Sequence, residues 1–120
     1  MIDHLGIGVS DLERSRAFYE RALAPLGIEV LMQVPGALGM GKDRKPFFWL
    51  RAQEPVAPVH VAFEASDRAM VEAFYAAGLA AGGTDNGGPG LREIYHPNYY
   101  GAYVLDPDGN NVEAVCHRPE

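Results

Sequence analysis

"HLGIGVSDLERSRAFYERALAPLG" (residues 4–27) and "HVAFEASDRAMVEAFYAAGLAAGG" (residues 60–83) lie 56 positions apart and agree, without a gap, at nine of 24 positions. His4, Ser10, Asp11, Ala17, Phe18, Tyr19, Leu23, Ala24 and Gly27 meet His60, Ser66, Asp67, Ala73, Phe74, Tyr75, Leu79, Ala80 and Gly83. Shared composition does not give agreement this dense, so one supersecondary unit occurs twice. Each copy opens on a short alternating apolar run, passes a helix-start signal and ends in Gly, which spells strand, helix and stop. Ser10 with Glu13 has capping-box spacing, and Ser66 or Asp67 caps the second helix.

Outward from these copies, "IEVLMQV" (28–34) and "PFFWLRA" (46–52) follow the first helix, and "GAYVLD" (101–106) and "NNVEAVCH" (110–117) follow the second. All four read as strands, with Gly-rich segments between them; the unit is read as βαβββ and the expected fold is α+β. Module 1 takes about residues 1–55 and module 2 about 58–118, in one domain over residues 1–120. The Gly-rich stretches "PGALGMGKD" (35–43) and "GGTDNGGPG" (82–90) read as mobile loops.

Strand alternation then assigns faces. Leu5, Ile7 and Val9 face the helices, leaving His4 on the opposite face. Val59, Val61 and Phe63 do the same in the second copy, leaving His60, Ala62 and Glu64. In the last strand Val112, Ala114 and Cys116 are the apolar set, which puts Glu113, Val115 and His117 on the face away from the helices. A carboxylate between Val112 and Ala114 is costly to bury unless something offsets its charge. If the sheets curl toward each other, His4, His60 and Glu113 converge as two imidazoles and a carboxylate, a ligand set for one divalent metal. A lone strand histidine is ordinarily a hydrogen-bonded structural residue; equivalence between the two copies is what points to metal here. Glu64 and His117 belong to the rim, and Cys116 to the core.

Composition narrows the function classes. A hydrophobic content of 48% beside 22% charged residues suits a globular domain with a real core. Ten Lys and Arg against 16 Asp and Glu give a formal charge of −6 with no basic run, which argues against nucleic acid. No apolar stretch has the length needed to span a bilayer. A single cysteine, no glycosylation sequon and no leader-like N-terminus lead to the expectation of a cytoplasmic protein.

With its tandem βαβββ units, "IDHLGIGVSDLERSRAFYE" (2–20), "HVAFEASD" (60–67) and "YVLDPDGNNVEAV" (103–115), the chain resembles the vicinal oxygen chelate superfamily over nearly its whole length. That family includes glyoxalase I, the extradiol dioxygenases, and the bleomycin and fosfomycin resistance proteins. The resemblance implies a U-shaped mixed sheet around a metal cavity, helices outside, and His4, His60 and Glu113 as ligands. Glyoxalase I commonly adds a ligand from the last strand of the first module, where this chain has Phe48, Trp49 and Leu50 and no carboxylate before Glu54. The extradiol pattern is nearer, with His96, Tyr103, Asp106, Pro107, Gly109 and Glu113 at acceptable spacings and Ala102 where a larger residue is usual. It implies His96 as acid or base and Tyr103 as a hydrogen-bond donor to bound oxygen.

The expected cofactor is therefore one divalent metal ion, Fe(II) favoured over Mn, Zn, Ni or Co, and the expected partner a small-molecule substrate walled by residues such as Phe48, Trp49, Tyr95, Tyr99 and Tyr100. An extradiol-type dioxygenase on a catechol-like substrate leads. The alternatives are a glyoxalase-type lyase or isomerase and a non-catalytic drug- or metabolite-binding resistance protein. A homodimer is expected, with the modules paired inside one chain or across two.

Overall fold

The first helix starts where a carboxylate can close it. In the computed structural model, which describes residues 1–120, α1 (Leu12–Ala22) is capped by Asp11, whose side chain accepts from the Arg14 backbone N at 3.1 Å. The expected Ser10–Glu13 box does not form, because Ser10 is engaged elsewhere: its N and Oγ both donate to Asp108, at 3.1 and 2.5 Å. Glu13 in the first turn and Arg21 in the last complement the helix dipole, while Ser15, Phe18, Tyr19 and Ala22 form the buried face. A 3-10 turn (Ala24–Leu26) and Gly27, at φ 78°, stop the helix. In the second copy Asp67 rather than Ser66 caps α2 (Arg68–Ala80), accepting from the Met70 N at 2.8 Å.

The chain forms β1 (Leu5–Val9), β2 (Glu29–Val34), β3 (Ala37–Lys42), β4 (Lys45–Ala52), β5 (His60–Glu64), the two-residue strands β6 (Thr84–Asp85) and β7 (Gly90–Leu91), β8 (Tyr100–Leu105) and β9 (Asn111–Cys116). Two mixed sheets result, ordered β1-β4-β3-β2 and β5-β9-β8-β6, with β7 also on β8. β1 runs parallel to β4, and β5 to β9. This is the expected α+β arrangement of two βαβββ units.

The stretch 35–43 departs from the loop expectation: it contains β3, a strand buried along five of its six residues. Its glycines serve close approach rather than mobility. A Cβ on Gly41 would lie 1.9 Å from the Lys45 carbonyl oxygen, and one on Gly39 would lie 2.9 Å from the Trp49 indole. Gly41→Ala must therefore push β4 away from β3, and is expected to lower stability by about 1–3 kcal/mol in urea unfolding. The stretch 82–90 stays mostly irregular, pinned to β8 by its short strands.

Both modules feed one core cluster. Phe48 of β4 meets Phe63 of β5 edge to face at 5.0 Å, and Tyr19 of α1 meets Phe48 at 5.3 Å. The turn before β9 supplies the polar join. Asp106, 4% exposed, accepts from the Tyr19 hydroxyl at 2.6 Å, from the Asp108 and Asn110 backbone N–H groups and from Asn110 Nδ2. Asn110 Oδ1 in turn accepts from the Val59 N at 2.9 Å. No helix of the chain is long and apolar enough to cross a membrane.

Candidate metal and substrate site

Strand parity gathers a polar group on the face of the second sheet away from the helices. Ala62 of β5 and Tyr103 of β8 both lie directly across from Glu113 on β9, and His60 lies two register positions away on the diagonal, opposite Asn111. Glu113 is 1% exposed. His60 Nε2 lies 2.8 Å from its Oε1, and the Tyr99 hydroxyl donates to its Oε2. An ionised carboxylate only accepts, so Nε2 carries the proton of the His60 bond. The small Ala62 leaves room for Glu113, and Gly101 eases the approach: a Cβ there would sit 3.3 Å from both Glu113 Oε2 and the Tyr99 ring and crowd them.

The phenols are shaped by the same carboxylate. Burial, followed by the bond to Glu113, pushes the Tyr99 hydroxyl far above its ordinary pKa, and burial and the Glu113 charge raise that of Tyr103. Both phenols therefore keep their protons at physiological pH.

The other expected residues are placed as follows. His4 bonds the neighbouring Asp3 at 2.8 Å, and Asp3 also accepts from Lys45 at 2.6 Å, on the first sheet. Within one chain, no three His, Cys, Asp or Glu side chains gather closely enough to hold a metal, so His60 and Glu113 come together without His4. His96 lies one ring away from Glu113: its centroid is 5.6 Å from that of Tyr99, and its Nε2 is 2.7 Å from His117 Nδ1. The Asn98 N–H donates to His96 Nδ1 at 3.1 Å, so in the neutral ring the His96 proton sits on Nε2 and His117 accepts it.

Tyr99 was not marked by sequence as a partner of Glu113, since it precedes β8 and strand parity gives it no face. Its place three residues beyond His96 was the one available signal. Tyr100, by contrast, turns to the helix side and donates to Glu72 at 2.6 Å.

The duplication also shows what faces Glu113 in the first module. Gly6 pairs with Trp49 as Ala62 pairs with Glu113, and Gly6 and Ala62 are the same repeat position. Trp49 therefore stands where the first module would supply a carboxylate, and adds no donor. A divalent cation fits the His60–Glu113 pair, because the imidazole nitrogen and carboxylate oxygen already converge on one shared proton that a cation would replace. The charge of that cation would also answer the burial of Glu113.

Fold and site together define a glyoxalase-type two-module protein, and the comparisons agree. The chain belongs to the Glyoxalase/Bleomycin resistance protein/Dioxygenase superfamily, whose family profile matches residues 1–114. It is similar to the crystal structure of a glyoxalase/bleomycin resistance protein from Albidiferax ferrireducens T118, at 31% identity and TM-score 0.87 over 98% of this chain and 99% of that one. A lactoylglutathione lyase from Agrobacterium tumefaciens shares the fold at 24% identity and TM-score 0.71, over 97% and 92% of the two chains. A mutant glyoxalase I from Zea mays matches at 30% identity and TM-score 0.67, over 95% of this chain and 45% of that longer one. No curated protein sequence matches.

Proposed function

We propose that the protein is a cytoplasmic, metal-dependent dioxygenase of extradiol type acting on a small catechol-like substrate. Trp49 at the repeat position of Glu113 carries this reading: the site offers three protein donors where a glyoxalase I commonly has four. His60 and Glu113 would hold the ion, Fe(II) by preference, and His4 would complete the set from a second copy of the chain, because its own copy leaves it at Asp3.

When bound, the metal supplies Lewis acidity and open positions for two vicinal oxygens and dioxygen. The chain does the rest. Tyr99 holds the outer oxygen of Glu113 and so fixes the carboxylate. Tyr103 donates to a substrate oxygen, and the His96–His117 pair takes up or returns a proton.

An oxygen electrode with Fe(II)-loaded protein and a panel of catechols tests the reaction. Uptake of dioxygen is expected, and Tyr103→Phe should lower kcat about tenfold or more with little change in substrate affinity. Silence across the panel with glutathione-dependent turnover of a dicarbonyl adduct would move the assignment to a lyase; silence in both with tight ligand binding would move it to sequestration. Assembly has its own test. Light scattering at micromolar concentration should report a dimer, and the 13.0 kDa monomer alone would overturn the shared site.

A further inference from the structure

We infer that the substrate of this site is an aromatic ring bearing a carboxylate, bound by Trp49 and Arg51. The inference rests on the proposed substrate cup and adds a ligand class to it.

On the first sheet, a depression of about 570 Å³ contains His4, Lys45, Trp49 and Arg51, a volume suited to a small molecule. Trp49 and Arg51 are alternate residues of β4 and share a face, about 7 Å apart along the strand. Their cross-strand neighbours are all small: Gly6 and Gly39 beside Trp49, Gly8 and Ala37 beside Arg51. Two long side chains thus stand over a floor of small residues. The indole lies close over Gly39, where a Cβ would collide with it at 2.9 Å, so its position is set by the backbone.

The charge is just as particular. Of the two cations at the depression, Lys45 is neutralised by Asp3 at 2.6 Å, while none of the six ion pairs in the chain includes Arg51. The cation left free at this depression is therefore Arg51. A guanidinium takes a carboxylate through two parallel N–H···O bonds, and an indole face takes a planar ring. The strand spacing matches a ring stacked on Trp49 with a coplanar carboxylate directed at Arg51. A neutral catechol would use only half of this.

Trp49 is the only tryptophan, so its fluorescence reports this depression in the metal-free protein. Benzoate and its neutral analogue benzamide are the probes. Benzoate is expected to quench with an affinity about tenfold tighter than benzamide. Arg51→Gln should erase that preference while benzamide still binds, and Arg51→Lys should keep part of it. Equal affinities in the natural chain, or a preference that survives Arg51→Gln, would overturn the inference. So would loss of both probes in Arg51→Gln, or a shift from dimer to monomer with the preference intact, since Arg51 would then serve structure or bind an acidic group of the second copy. Dioxygen uptake plays no part in this readout. A silent oxygen electrode with benzoate preference intact would sink the proposed reaction alone, and the reverse would sink the ligand class alone.

Discussion

Glu113→Ala is expected to abolish stoichiometric metal binding while leaving the protein folded. The substitution removes one of two donors that already face each other and exposes His60 Nε2 to solvent, so affinity should fall at least 100-fold. Folding is spared because the loss of a buried charge offsets the orphaned Tyr99 hydroxyl. Metal content by elemental analysis, beside circular dichroism, reads both. Metal content unchanged in the variant would show the ligand assignment to be wrong.

Mixing chains then tests where His4 acts. His4→Ala and Glu113→Ala are each expected to be metal-free. If the site is shared between copies, a heterodimer of the two variants places both lesions in one site and leaves the other intact. A statistical mixture should then recover about a quarter of the natural metal content. A site built within one chain would recover none.

The second large effect is on stability. Asp106→Ala strips the acceptor from the Tyr19 hydroxyl, Asn110 Nδ2 and two backbone N–H groups at a buried position. Unmet buried donors cost about 1–3 kcal/mol each, and water at the turn can reach some of them, so a loss of about 3–5 kcal/mol is expected in urea unfolding. Tyr19→Phe, which leaves Asp106 three donors, should cost about 1–2 kcal/mol. The two variants also differ in alkali. Burial and then the Asp106 charge raise the Tyr19 pKa well above 10.0. A raised folded pKa means that the contribution is complete below the unfolded pKa near 10 and is lost as pH rises beyond it, because only the unfolded chain gives up the proton. Stability of the natural protein should therefore fall faster above pH 10 than that of Tyr19→Phe. Parallel alkaline limbs in the two would refute a buried, hydrogen-bonded Tyr19.

What sequence revealed and what it concealed follow a physical division. Alternation along a strand is local, so the common face of His60 and Glu113 was legible from β5 and β9 alone, and the duplication supplied the βαβββ order. The errors arose where a distant residue decided a local outcome. Ser10 has the composition of a cap, yet Asp108, 98 residues away, occupies it and the cap moves to Asp11. The glycines of 37–42 have loop composition, yet the nearness of Lys45 and Trp49 requires them within a strand. Tyr99 lies outside any periodic element, and only the folded chain brings it to Glu113. In the turn 106–110 nothing local shows that its carboxylates grip α1.

That grip orders the life of a newly made chain. Asp106 reaches back 87 residues to Tyr19, and Asp108 reaches 98 residues to Ser10. As synthesis proceeds from the N-terminus, α1 emerges early with its phenol and its Ser10 N–H unmet, and nothing in the first module supplies the missing acceptors. The clasp arrives with the final hairpin, the same segment that carries Glu113. A chain interrupted before that hairpin therefore lacks both its fastening and its carboxylate ligand, so a fragment able to persist in the cell is also one unable to capture metal in its own second module.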